Sequence, residues 1–132
     1  MPSRQEHIDK ARYNGGVARR LEAIPVYDWA VTTMFYSALH LVDAVLAANN
    51  IHPTTHADRN NRIQRNPALA AHWRDYRHLR DRSEDARYRC LPFTAIDVNA
   101  TRANSYAPIW LSLAPLLGLS TMPEAPPADF IP

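Results

Sequence analysis

Apolar residues recur at helical spacing along most of the chain. Ser3 and Glu6 form a capping-box pair, and Ile8, Ala11, Ala18 and Leu21 then repeat at intervals that predict a first helix over 3–23. Gly15 and Gly16 together cost that helix about 2 kcal/mol of propensity relative to Ala, so they mark either a kink or a close helix crossing. Pro25 breaks the chain, and Asp28 caps or begins a second helix reaching Asn49 and Asn50, residue types that tolerate a left-handed turn. Its stretch from Trp29 to Leu46 is the most apolar in the sequence, but His40 and Asp43 interrupt it short of the roughly 20 clean apolar residues of a membrane span. It reads as a buried core helix, and no membrane association is expected.

Pro53 forces a turn, Thr54 or Thr55 offers a cap, and 56–65 reads as a short polar surface helix. Asn66 followed by Pro67 predicts the cap and first position of a fourth helix running to Tyr88 or Cys90. Beyond Pro92, Thr94 with Asp97 opens a fifth helix whose expected apolar stripe is Ile96, Ala103, Trp110, Leu113 and Leu117, ending at Gly118. Pro108 and Pro115 should kink it, because each removes an amide and crowds the preceding turn. No stretch alternates convincingly with period two. The expected fold is all-α, an up-and-down bundle of four long helices plus one short helix, as a single domain over 1–120 with a Pro-rich tail over 121–132.

Composition narrows the class. The 132 residues are 46% hydrophobic and 21% charged with 3 Gly, which excludes collagen-like and wholly disordered chains. A single cysteine, Cys90, permits no internal disulfide and no Cys-based zinc site, and reads as a small buried apolar residue. The N-terminus carries charges where a secretory signal would carry its apolar run, so a cytoplasmic location is expected. The net charge of +2 is mild, but its distribution is not: residues 52–90 hold nine Arg against five acids, while 1–51 are balanced. All but one of the 15 basic residues are Arg, the better fork for phosphate and carboxylate, although a GC-rich codon bias produces the same preference.

Two helix faces carry candidate chemistry. On the second helix, Asp28, Thr32, Tyr36, His40 and Asp43 form a polar stripe on an otherwise apolar cylinder. On the fourth, Leu69, Trp73, Tyr76, Arg80, Ser83 and Arg87 share a face that begins apolar and ends cationic. If these helices are neighbours, Arg80 and Arg87 approach Tyr36, His40 or Asp43 in a partly buried pocket; the competing reading is an internal network that fixes helix register. His56 beside Arg59 at the start of the third helix offers a second phosphate position. A metal site is not expected, since Pro53 keeps His52 out of any regular helix with His56, and no cofactor is implied. His72 and His78 read as solvated.

The run DWAVTTMFYSALHLVDAVLA, then IHPTTHADRN, then YRHLRDRSEDARY resembles the HEPN superfamily of small helical domains, over about residues 5–118. The resemblance implies a four- or five-helix bundle that commonly dimerises, often encoded with a nucleotidyltransferase or acting in toxin–antitoxin and phage-defence systems, many members being metal-independent ribonucleases. Their motif is an Arg and a polar residue with a His four to six positions on. Arg80 and Asp81 match its opening, but Asp85, Ala86 and Arg87 stand where the His belongs. Arg87 cannot replace it, because a guanidinium does not deprotonate at neutral pH. Arg82 followed by Tyr88 is a weaker variant of the motif, in which Tyr can donate a proton but is a poor base near pH 7.

Three readings follow. The first is a binding or interaction module for RNA, a nucleotide phosphate or a partner protein, using Tyr36, His40, His56, Arg59, Tyr76, Arg80, Ser83 and Arg87. The second is an endoribonuclease whose dimer interface assembles Arg80, Arg87, Tyr88 and a borrowed histidine such as His40. The third is a purely structural subunit. Trp73, Tyr76 and Tyr88 accompany the arginines and suit base stacking or core packing. A homodimer is expected from the resemblance and from the apolar Trp110, Leu113 and Leu117, which exceed what a small bundle must bury.

Overall fold

The computed structural model describes residues 1–119 together with Met122 and Pro123. Its first helix, α1 (Arg4–Ala23), starts at the expected capping box: Ser3 Oγ accepts from the Glu6 amide at 3.1 Å, and the Glu6 carboxylate accepts from the Ser3 amide at 3.1 Å. The paired glycines mark a crossing, because a Cβ on Gly15 would stand 2.7 Å from Tyr106 Oη and 2.5 Å from Pro123 Cγ. Helix α2 (Tyr27–Ala47) follows, and Asn50 takes the left-handed conformation at φ 58° shortly after its end. Asp28 is not its cap. That position falls to Val26, while Asp28 lies in the first turn and accepts from the Trp29 amide at 2.9 Å.

Helix α2 is the centre of the core, with Met34, Phe35, Ala38, Leu41, Ala44 and Leu46 almost wholly buried against α1 and the later helices. Among the described residues it is the one helix long and apolar enough to cross a membrane, and 78% of that window is buried inside the fold. Helix α3 (His56–Arg65) is capped by Thr55, whose side chain accepts from the Asp58 amide at 3.0 Å. Although polar, it buries Arg59 and Ile63.

The fourth helix begins later than Asn66-Pro67 predicts. Asn66 Oδ1 accepts from the Ala68 amide at 2.8 Å, but Asn66 also ends α3 through bonds to the Arg62 and Ile63 carbonyls. The chain therefore reverses there, buries Leu69, and passes through a 3₁₀ turn at Ala70–His72 before α4 (Trp73–Tyr88). Cys90, just beyond, is exposed with φ 53°, not buried.

The expected fifth helix is divided. Thr94 and Asp97 form the predicted capping box of α5 (Ala95–Thr101), which passes into a π-helical turn at Arg102–Tyr106, then α6 (Ala107–Leu113), then a 3₁₀ turn at Ala114–Leu117 closed by Gly118 at φ 75°. The wide turn ends two residues before Pro108 and the tight one contains Pro115, so each proline lies at or next to a departure from α geometry. The buried face runs through Val98, Thr101, Ser105, Ile109, Leu113 and Leu117, while Ile96 and Ala103 of the expected stripe are exposed. Two polar ties anchor this segment: Ser37 Oγ donates to the Ala11 carbonyl at 2.7 Å and meets Tyr106 Oη at 2.8 Å, and Arg102 grips Glu22 at 3.1 and 2.6 Å.

The fold is thus all-helical, with no strand among the described residues. Trp110, Leu113 and Leu117 are 1%, 0% and 5% exposed, so the apolar surplus expected to drive dimerisation is spent inside one chain. Leu111 and Leu116, with Ile96, are the exposed large apolar residues of that segment. The expected tail over 121–132 lies outside the described residues except for Met122 and Pro123.

Candidate functional site

The polar stripe of α2 faces two different neighbours. Its N-terminal half meets the end of α4, where Arg87 is the organising group. Arg87 Nη1 donates to Tyr36 Oη at 2.8 Å and Tyr88 Oη at 3.4 Å, Nη2 to Ser83 Oγ at 3.2 Å, and Nε to the Ser83 carbonyl at 3.2 Å. The guanidinium also lies 5.5 and 4.9 Å from the Tyr36 and Tyr88 ring centres. Every one of these partners is neutral, and no carboxylate among the described residues pairs with Arg87. Beside it opens a cavity of about 350 Å³ lined by Asp28, Trp29, Thr32, Ala86, Arg87 and Tyr88. Trp29 and Tyr88 are 53% and 73% exposed, so two large aromatic rings flank a cation at the surface.

The C-terminal half of the stripe meets α1 and α3. Asp43 is buried and receives a two-pronged grip from Arg59, Nε to Oδ1 at 2.7 Å and Nη2 to Oδ2 at 3.0 Å. Burial opposes the charge on Arg59, but the hydrogen bonds and charge of Asp43 outweigh it and the guanidinium pKa rises. Next to this pair, His40 Nδ1 lies 3.1 Å from His7 Nδ1. Burial, reinforced by the neighbouring His7, pushes His40 down to about 4, and burial likewise lowers His7. Burial therefore favours the neutral form of both imidazoles. They line a cavity of about 270 Å³ with Leu39, Asp43, His52 and Arg59.

The expected single pocket is therefore two. Arg87 joins Tyr36 and Ser83 as the helix faces predict, but among the described residues no hydrogen bond or ion pair links Arg80 or Arg87 to His40 or Asp43. Arg80 pairs with its neighbour Asp81 at 3.2 Å and lies over the Trp73 ring. Tyr76 is 1% exposed and packed against Phe35 and Trp73, and its buried hydroxyl has no hydrogen-bond partner among the described residues; burial pushes its pKa up. It offers no face for a base. His56 is exposed at the start of α3, with Nδ1 3.5 Å from Arg59 Nη1, but the Arg59 fork is occupied by Asp43.

Sequence reasoning misses His7. Its signal is available, since His7, Ala11, Gly15 and Ala18 follow at steps of four and three on the buried face of α1. His78 is exposed, as the sequence predicts, but its Nδ1 also lies 2.7 Å from the buried Ser105 Oγ and ties α4 to the π turn. Compared with known proteins, the chain matches no family model, no curated protein and no solved structure.

Proposed function

We propose that the protein is a HEPN-like binding module that takes a nucleotide or single-stranded RNA in the groove between α2 and the end of α4. One observation carries this reading: Arg87 is oriented by Tyr36, Ser83 and Tyr88 yet has no carboxylate partner among the described residues, beside a cavity walled by exposed Trp29 and Tyr88. A phosphate supplies the missing anion, and the guanidinium fork suits its geometry. The two rings offer faces for bases, and stacking of this kind contributes about 1–3 kcal/mol per base. Asp28 and Thr32, on the same walls, supply acceptors for ribose or base donors.

Metal-independent ribonuclease chemistry requires a base beside the phosphate-binding cation. The lining of this groove contains no histidine among the described residues, and His40 is turned to His7, so binding is the reading the geometry favours over cleavage. The wider proposal follows the resemblance: a bundle of four long helices and a short one, cytoplasmic, acting as a homodimer in a toxin–antitoxin or defence system beside a nucleotidyltransferase or another protein partner. Exposed Leu111 and Leu116 are the residues such an interface would cover.

The test is a titration of tryptophan fluorescence with single-stranded oligoribonucleotides and with a nucleoside triphosphate, in wild type, Arg87→Ala and Trp29→Phe. Binding that falls on loss of Arg87, with the signal change diminished in Trp29→Phe, supports the module. Wild-type affinity in Arg87→Ala, or no binding by any form, overturns it. RNA cleavage recorded on the same samples would instead favour the nuclease.

A further inference from the structure

The cavity between α1, α2 and α3 brings two imidazoles and a carboxylate together. One ligand atom from each of His7, His40 and Asp43 lies within 4.8 Å of the others, and the two Nδ1 atoms are 3.1 Å apart. In a tetrahedral zinc site with metal–nitrogen bonds of about 2.0–2.1 Å, two ligating nitrogens stand about 3.3 Å from one another. The histidine pair is thus spaced as two ligands of one ion, which would displace the proton the two Nδ1 atoms share to an Nε2 position. Asp43 remains available as well: the Arg59 fork uses one lone pair on each oxygen, and a carboxylate carries about four acceptor positions. An outer hydrogen-bond partner of this kind is what orients a ligating carboxylate.

A second observation comes from His52, on the loop between α2 and α3. Its Nδ1 is buried without a hydrogen-bond partner among the described residues, while its Nε2 lies 3.4 Å from Asn50 Oδ1, and its side chain lines the same cavity. A proton on Nε2, donated to that amide oxygen, would leave Nδ1 as the bare nitrogen with its lone pair. Such a lone pair, removed from water and unsatisfied, is costly until a donor or a cation meets it.

We propose that this cavity is a binding site for one divalent transition-metal ion of the zinc class, held by His7 Nδ1, His40 Nδ1 and an Asp43 oxygen, with His52, which lines the cavity outside that close group, moving in as the fourth ligand. Imidazole-rich ligation selects zinc, cobalt or nickel over magnesium and calcium, which require oxygen cages. The site is separate from the Arg87 groove, so the two proposals stand or fall independently.

The test uses untagged protein titrated with Co²⁺, with visible absorption recorded, followed by Zn²⁺ displacement and a Mg²⁺ control. One Co²⁺ per chain with tetrahedral d–d bands, displaced by Zn²⁺ but not by Mg²⁺, is the expected result. His7→Ala and His40→Ala should each weaken Co²⁺ binding by at least about tenfold, the lower bound set by losses of outer-shell partners alone. Circular dichroism confirms that each variant is folded. His52→Ala lies on a loop, changes no helix, and should alter both the band shape and the affinity. Absence of bands in wild type, or unchanged affinity in folded His7→Ala and His52→Ala, overturns the site; an unchanged spectrum in His52→Ala alone removes the fourth ligand.

Discussion

Arg59 and Arg87 are the same side chain, each reaching α2 from a neighbouring helix, yet their surroundings assign them opposite tasks. Arg59 is 8% exposed and both ends of its fork close on the Asp43 carboxylate. Its charge is compensated inside the fold, so its electrostatic effect is internal. Arg87 is held by three hydroxyl groups and a carbonyl, at the edge of an open cavity with two exposed aromatic rings. Its direction is fixed, but no carboxylate among the described residues forms an ion pair with it, although Asp28 lines the same cavity. A buried cation with an anion holds helices together; an oriented cation without one is prepared for a ligand.

The largest expected effect comes from breaking the compensated pair. Asp43→Ala leaves Arg59 buried and unpaired and should destabilise the fold by about 3–5 kcal/mol in urea denaturation. Arg87→Ala, by contrast, should cost under about 1.5 kcal/mol of stability, the range of ordinary net hydrogen-bond contributions. A loss as large as that of Asp43→Ala would make Arg87 structural too. In ligand binding the order reverses: Arg87→Ala should weaken oligoribonucleotide affinity by about 1.5–3 kcal/mol, the worth of hydrogen bonds to a charged group, as read by fluorescence titration.

A smaller effect concerns pH. Folding favours the neutral form of His40, whose pKa falls from 6.5 to about 4 through burial and the neighbouring His7, with Asp43 opposing and Lys10 and Arg59 adding to the fall. Its contribution is complete above pH 6.5 and is lost as the pH drops toward 4. For metal-free protein this amounts to about 1–2 kcal/mol once partial solvation is allowed for. His40→Gln should flatten the acid limb of a stability–pH profile, and an unaltered limb would contradict the shift. The smallest effect is expected at Arg80, whose partly exposed pair with the adjacent Asp81 predicts a stability change within about 1 kcal/mol for Arg80→Ala by denaturation.

Much of this contrast is legible in the sequence. Ser3 with Glu6 and Thr94 with Asp97 locate helix starts because capping depends on neighbours a few residues apart. The Tyr36–Arg87 contact is likewise foreseen, since helical spacing alone places both on facing stripes. What spacing cannot supply is which neighbour a stripe meets. The α2 stripe is one line in sequence, but it spans more than one helix width, so α4 covers one half and α1 with α3 the other. His7 is easily passed over because it stands among exposed polar residues at the start of α1, although the buried face passes through it. The buried side of the fifth segment is read correctly at Trp110, Leu113 and Leu117 but misjudged at its start, because Thr101 and Ser105 are polar yet lie inside, where Thr101 donates to the Asp97 carbonyl and Ser105 meets His78.

The most direct measurement is urea unfolding of wild type, Arg59→Ala and Arg87→Ala, each with and without a saturating oligoribonucleotide. A ligand at 100 times its dissociation constant adds about 2.7 kcal/mol to the stability of a folded protein that binds it. The account predicts that Arg59→Ala is much less stable but keeps that increment, whereas Arg87→Ala keeps most of its stability and loses the increment. The reverse pattern, or an increment lost equally in both variants, would contradict the division of labour between the two arginines.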